Sequence, residues 1–206
     1  MKIKISVLLS ILILMILSVS AQDNKSSVNL NIQFSNYLNE YFSPINPGIE
    51  ILYQNKIVSL FSVSAGINYS FTSWQKSVGV KSNFKRRYHE IFVPVILKGR
   101  ISDGFNAAVG IYPGWLFSGK ELYKGSSSTN RWRDNTHNTT YDESSKFATD
   151  LFFGLELFDF TKPNDKSHSI KFTPFLRYRL KENWLDENRN KPTGIGLKIN
   201  YLIGLK

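Results

Sequence analysis

The sequence predicts an all-β chain whose antiparallel strands run up and down and close into one eight-stranded barrel that crosses a membrane. Three observations predict it: segments in which apolar and polar residues alternate, connections that are long and short in turn, and polar faces made of small residues with isolated charges. The clearest segment is FSVSAGINYSF, residues 61 to 71. Phe61, Val63, Ala65, Ile67, Tyr69 and Phe71 form one set, and Ser62, Ser64, Gly66, Asn68 and Ser70 the other. Period-two alternation of this length is a strand with two unlike faces.

The chain opens with Lys2 and Lys4, continues through an apolar run from Ile5 to Val19 and reaches Ser20-Ala21 before Gln22. A charged start, an apolar run shorter than the roughly 20 residues of a spanning helix, and small residues at its end read as a cleaved signal peptide over residues 1–21. Residues 22–206 then form one exported domain. No other apolar run approaches spanning length. The absence of Cys excludes a disulfide-stapled scaffold and a lipoprotein acylated on an N-terminal Cys. With 14% aromatic residues and a mean hydropathy of −0.22, the composition suits strands rather than helices.

Eight alternating segments follow in order: Val28 to Leu38, Ile49 to Gln54, Val58 to Phe71, Tyr88 to Arg100, Phe105 to Phe117, Phe147 to Phe158, Ile170 to Lys181 and Gly194 to Leu205. Their connections are Asn39 to Gly48, Asn55 to Ile57, Thr72 to Arg87, Ile101 to Gly104, Ser118 to Lys146, Asp159 to Ser169 and Glu182 to Thr193. The long ones fall at one end, as in an outer-membrane barrel with short periplasmic turns and long external loops. A soluble sandwich has no reason for that rhythm. In the last segment Ile195, Leu197, Ile199, Tyr201, Ile203 and Leu205 share the face assigned to lipid, and Gly196, Lys198, Asn200, Leu202 and Gly204 the lumen. The lumen of an eight-stranded barrel is just wide enough to be filled by side chains. Aromatic girdles are expected at Tyr37, Tyr41, Phe42, Tyr69, Phe71, Trp74, Trp115 and Phe117 outside, and at Tyr53, Phe105, Phe158 and Phe160 inside.

YHEIFVPVILKGRI, AAVGIYPGWLFSG, DLFFGLELFDF, FTPFLRYRL and GIGLKINYLIGL together resemble the outer-membrane β-barrel domain family of Bacteroidetes, which includes PorT-like and porin-family small barrels. The likeness rests on Glu90 before an apolar run with Pro94, on Gly110 and Pro113, and on Arg177-Tyr178. It implies the fold and an outer-membrane location rather than a reaction. One departure is the final Leu205-Lys206, where many such barrels end on an aromatic residue.

Without the first 21 residues, 24 basic residues face 16 acidic ones, a net charge of +8. Thr72 to Arg87 carries Lys76, Lys81, Lys85, Arg86 and Arg87 with no acid. Such an external loop is drawn to anionic groups, among them lipopolysaccharide phosphates and other outer-membrane lipids. Nothing interleaves basic residues with a stacking platform, so nucleic acid is not expected. The three histidines, His89, His137 and His168, include no pair at metal-ligand spacing, and no cofactor motif is present. A lipid-modifying enzyme would need a rim base and nucleophile, for which His89 and Ser73 are the only candidates, with no motif framing either.

Charges expected in the lumen are Glu50, Glu90, Lys98, Asp150, Glu156, Lys171, Arg177, Arg179 and Lys198. They either line a narrow ion path or pair and plug the barrel, and a lumen this small favours pairing. Counting back from the turn before Ser169 sets Asp150 opposite Arg177 and Glu156 opposite Lys171. The expected role is therefore structural or one of interaction, with a protein partner in the outer membrane or periplasm. The alternatives are a PorT-like secretion barrel, a narrow pore and the lipid-modifying enzyme.

Overall fold

The computed structural model describes residues 26–37, 45–78, 82–102, 104–124, 133–134, 147–160, 168–180 and 193–205. The signal-peptide segment, Lys81, His137, Tyr41 and Phe42 lie outside them. Ten strands are present among the described residues: β1 (Ser26–Tyr37), β2 (Asn46–Val58), β3 (Phe61–Val78), β4 (Ser82–Phe92), β5 (Val95–Ser102), β6 (Phe105–Lys124), β7 (Arg133–Asp134), β8 (Phe147–Asp159), β9 (His168–Arg179) and β10 (Thr193–Gly204). Every pairing is antiparallel, and β10 returns to β1 from Ser27↔Gly204 to Tyr37↔Gly194, which closes the sheet. β4 and β5 are successive pieces of one stave, both lying between β3 and β6, and β7 is a two-residue bracket on β6. The result is an eight-stranded barrel.

The break between β4 and β5 falls at Val93-Pro94, because proline has no N–H to donate to a ladder. Two backbone bonds bridge the gap: Gly66 N–H donates to the Pro94 carbonyl at 3.3 Å, and Val93 N–H to the Pro113 carbonyl at 2.8 Å.

The two faces separate cleanly. Ser64 and Asn68 are fully buried, whereas Ile67 between them is 62% exposed. Leu30, Ile32, Phe34, Ile49, Ile51, Val109, Phe153, Leu155 and Leu197 continue that exposed apolar belt around the barrel. Burying it in water would be unfavourable, and in lipid every backbone group must be paired internally, a condition that closure meets. A 12-residue strand tilted by about 40° rises about 30 Å, the thickness of a bilayer core. The chain is thus a transmembrane barrel of the outer membrane, with the tight turns at Ser59-Leu60 and Gly104 on the periplasmic side.

Several expected boundaries are corrected. β2 begins at Asn46 and runs to Val58, so the first tight turn is Ser59-Leu60 and not Asn55 to Ile57. The expected loop from Thr72 to Arg87 is mostly strand, since β3 and β4 stay paired out to Val78↔Ser82. β6 likewise runs past Phe117 to Lys124 and pairs with β4 as far as Asn83↔Lys124. Above the bilayer no lipid selects an apolar outer face, so the wall continues on backbone hydrogen bonds without the alternation that marks it below.

Candidate functional site

Inward positions at period two bring the charged residues into the lumen in three tiers. In the outer tier Asp150 receives Arg177 Nη2 at 2.8 Å and Arg179 Nε at 2.8 Å, and Arg179 Nη2 also lies 2.9 Å from Glu90 Oε1. Thr72 Oγ1 donates to Glu90 at 3.0 Å. The register differs from the expected one by two residues. Asp150 lies opposite Arg179 and Phe152 opposite Arg177, while a shift between Leu157 and Asp159 sets Lys171 opposite Asp159 rather than Glu156. A two-residue slip keeps every side chain on its face, so Arg177 still reaches Asp150 diagonally.

Glu50 is the hub of the middle tier. Its carboxylate accepts Lys198 Nζ at 2.7 Å, Asn31 Nδ2 at 2.8 Å, Tyr112 Oη at 2.9 Å and Asn68 Nδ2 at 3.4 Å. Lys198 also donates to Tyr112 Oη at 2.6 Å. In the inner tier Glu156 pairs with Lys98, accepts Asn106 Nδ2 at 3.0 Å and lies 3.9 Å from Lys171. Lys98 donates as well to Gln54 Oε1 at 3.0 Å.

Between these tiers the lumen holds aromatic rings that the charge pattern does not announce. Phe92, Tyr112, Phe152 and Phe175 form a buried cluster with Leu52, Ile96, Ala108 and Ala148. The Arg177 guanidinium carbon sits 4.5 Å from the Phe92 centroid and 4.7 Å from that of Tyr112, and Lys198 Nζ lies 4.4 Å from that of Phe152. A desolvated cation is favoured over a ring face. Glycines make room for the rings: a Cβ on Gly114 would collide with Phe92, and one on Gly154 would come within 2.8 Å of Phe152. The sequence signal was available, since Phe92, Phe152 and Phe175 each stand two residues from a lumen charge and Gly110-x-Tyr112-x-Gly114 alternates ring with glycine.

His89 faces outward. Its Nδ1 lies 2.8 Å from Tyr69 Oη, and its ring sits among Phe71 at 5.2 Å and Phe117 at 5.8 Å. Ser73 is buried, and its backbone N–H donates to Asn46 Oδ1 at 2.7 Å. The histidine is thus placed in the outer aromatic girdle, together with the Trp115–Phe147 pair. At the opposite rim Phe160 packs on Phe172. His168, expected in a turn, is instead the first residue of β9 and stacks on Tyr201, with Nδ1 3.0 Å from the hydroxyl. Lys76, Lys85, Arg86 and Arg87 lie on the extension of β3 and β4, where Arg86 pairs with Trp74 and Glu121 and Arg87 is exposed.

Because Asp150 is shared, the two sides of that cluster are unequal. Asp150→Ala is expected to destabilise the barrel by about 3 kcal/mol or more, since two arginines lose their carboxylate, and Arg177→Ala by less, since Arg179 remains. Urea unfolding of the refolded barrel in lipid vesicles, followed by gel mobility, measures both.

No protein-family model matches the chain, and no curated protein does. Solved structures similar to it include Ail, the attachment invasion locus protein of Yersinia pestis, in complex with the heparin analogue sucrose octasulfate, at 12% identity, 88% of this chain, 100% of that chain and a TM-score of 0.45. The N-terminal β-barrel domain of Pseudomonas aeruginosa OprF is similar at 9% identity, 88% and 100% coverage and a TM-score of 0.43. Neisserial surface protein A follows at 8% identity, 88% and 97% coverage and a TM-score of 0.41. The chain's own closed ladder and apolar belt carry its assignment as a small outer-membrane β-barrel.

Proposed function

We propose that this barrel is a non-conducting scaffold of the outer membrane, with a structural or interaction role exercised from its external face. The observation that carries the reading is the filled lumen: a ring layer of Phe92, Tyr112, Phe152 and Phe175, with Arg177 and Lys198 inserted, lies between the paired charges. An ion crossing it would have to displace buried cations from rings and carboxylates together, at a cost of several kcal/mol. In planar bilayers the wild type is expected to show no steady conductance, and the Tyr112→Ala/Phe152→Ala double variant to show single-channel steps. Steady wild-type conductance would sink the reading. The resemblance to Bacteroidetes barrels, PorT-like members included, supports the same class of role through a membrane or periplasmic partner.

The basic external hairpin supports a lipid partner, lipopolysaccharide phosphate. Holding Lys76, Lys85, Arg86 and Arg87 on a continuous ladder rather than a loose loop reduces the entropy lost on binding. Arg86→Gln/Arg87→Gln is expected to weaken binding of lipid A by about tenfold, the effect of losing one charge-assisted phosphate contact. Titration of the reconstituted barrel checks this, and an unchanged affinity would remove the hairpin from the interaction.

A further inference from the structure

The outer and middle tiers of the lumen are each neutral: Asp150 and Glu90 balance Arg177 and Arg179, and Glu50 balances Lys198. The periplasmic mouth is not. A polar cavity of about 190 Å³ opens there, and its lining includes Lys56, Lys98, Arg100 and Lys171 against the single carboxylate Glu156. We infer that this vestibule is a binding site for a small soluble oxyanion of phosphate size.

Charge is the first support. Four cations and one anion leave a surplus of three positive charges around a concave, partly enclosed space, where low-dielectric walls concentrate the field. The cations are not a loose surface cluster, because Lys98 is 8% exposed and is oriented by Gln54 Oε1 and Glu156. Arg100 brings a fork that matches two oxygens of a phosphate at once.

Backbone geometry is the second. Four of the described ladders carry register shifts, and three of these lie at this mouth, between Lys56 and Val58, Arg100 and Ser102, and Leu157 and Asp159. Bulges at a barrel rim re-aim side chains, and two of these stand directly at Lys56 and Arg100. Size is the third. The cavity holds several waters at about 30 Å³ each but falls below the roughly 300 Å³ of a drug-sized pocket. It lies inside the barrel wall, which separates it from lipid headgroups, so the ligand comes from the aqueous periplasm.

Inorganic phosphate, titrated into the full-length refolded barrel in detergent micelles and followed by NMR of the Gln54, Arg100 and Asn106 signals, tests the site. Saturable shifts with phosphate, and none with chloride at matched ionic strength, are expected. Arg100→Gln and Lys171→Gln should each weaken binding by about tenfold. Glu156→Gln removes the opposing charge while keeping hydrogen-bonding capacity toward Asn106, and should tighten binding about fivefold to tenfold. That gain cannot come from a damaged fold. Equal shifts with chloride, or a Glu156→Gln variant that binds no more tightly, would overturn the assignment.

Discussion

Replacing Glu50 with alanine is expected to cost the barrel about 3 to 5 kcal/mol, the range for leaving a buried charge without its partner. Glu50 is fully buried and joins β2 to β1, β3, β6 and β10 through Asn31, Asn68, Tyr112 and Lys198. The substitution leaves Lys198 with a tyrosine hydroxyl and ring faces, too little to replace a carboxylate in a site closed to water. Removing both charges together should restore much of the loss, because apolar pairs of similar volume replace buried ion pairs at little cost. Glu50→Leu/Lys198→Met is therefore expected to unfold nearer the wild-type urea midpoint than Glu50→Ala does. Equal losses in the two variants would mean that the hub's hydrogen bonds, not its buried charge, set the stability.

Gly66→Val is expected to prevent refolding or to cost about 3 kcal/mol or more, the upper end for overpacking. Gly66 faces the lumen in β3 between Ser64 and Asn68, where a Cβ would run into the Ile51 carbonyl oxygen and meet Leu52 Cα at 2.9 Å. Those atoms are backbone of the paired strand, so no rotamer change relieves the clash. The same site also holds the bond from Gly66 N–H to Pro94 that bridges the broken stave. Gly99→Ala is the control: its Cβ meets only the Phe61 ring, at 3.3 Å, and that exposed side chain can turn aside at little cost. The two variants, refolded from urea into vesicles and scored by heat-dependent gel migration, should differ sharply.

Alternation was legible wherever lipid lay on one side and a packed lumen on the other. Two unlike solvents require unlike residues at period two, and the sequence from Phe61 to Phe71 shows them. The same physics set the limits. From Thr72 to Val78, and beyond Phe117 on β6, water lies outside the wall and the residue pattern no longer distinguishes strand from loop. There only the neighbouring strand, by supplying hydrogen-bond partners, decided that the wall continues.

By itself, the sequence determined which side chains share a face, that the strands number eight and that the long connections lie at one end, because these follow from local periodicity and spacing. The tertiary structure alone decided which charges meet. Asp150 is shared by Arg177 and Arg179, Glu50 finds Lys198 across 148 positions, and Lys98 reaches Glu156 across the inner tier. Such partners depend on register, stagger and bulges, and a two-residue slip leaves every face unchanged while it exchanges the pairs. The ring layer belongs to the same class: inward aromatics and inward glycines are visible one strand at a time, but their interlocking exists only once the sheet closes.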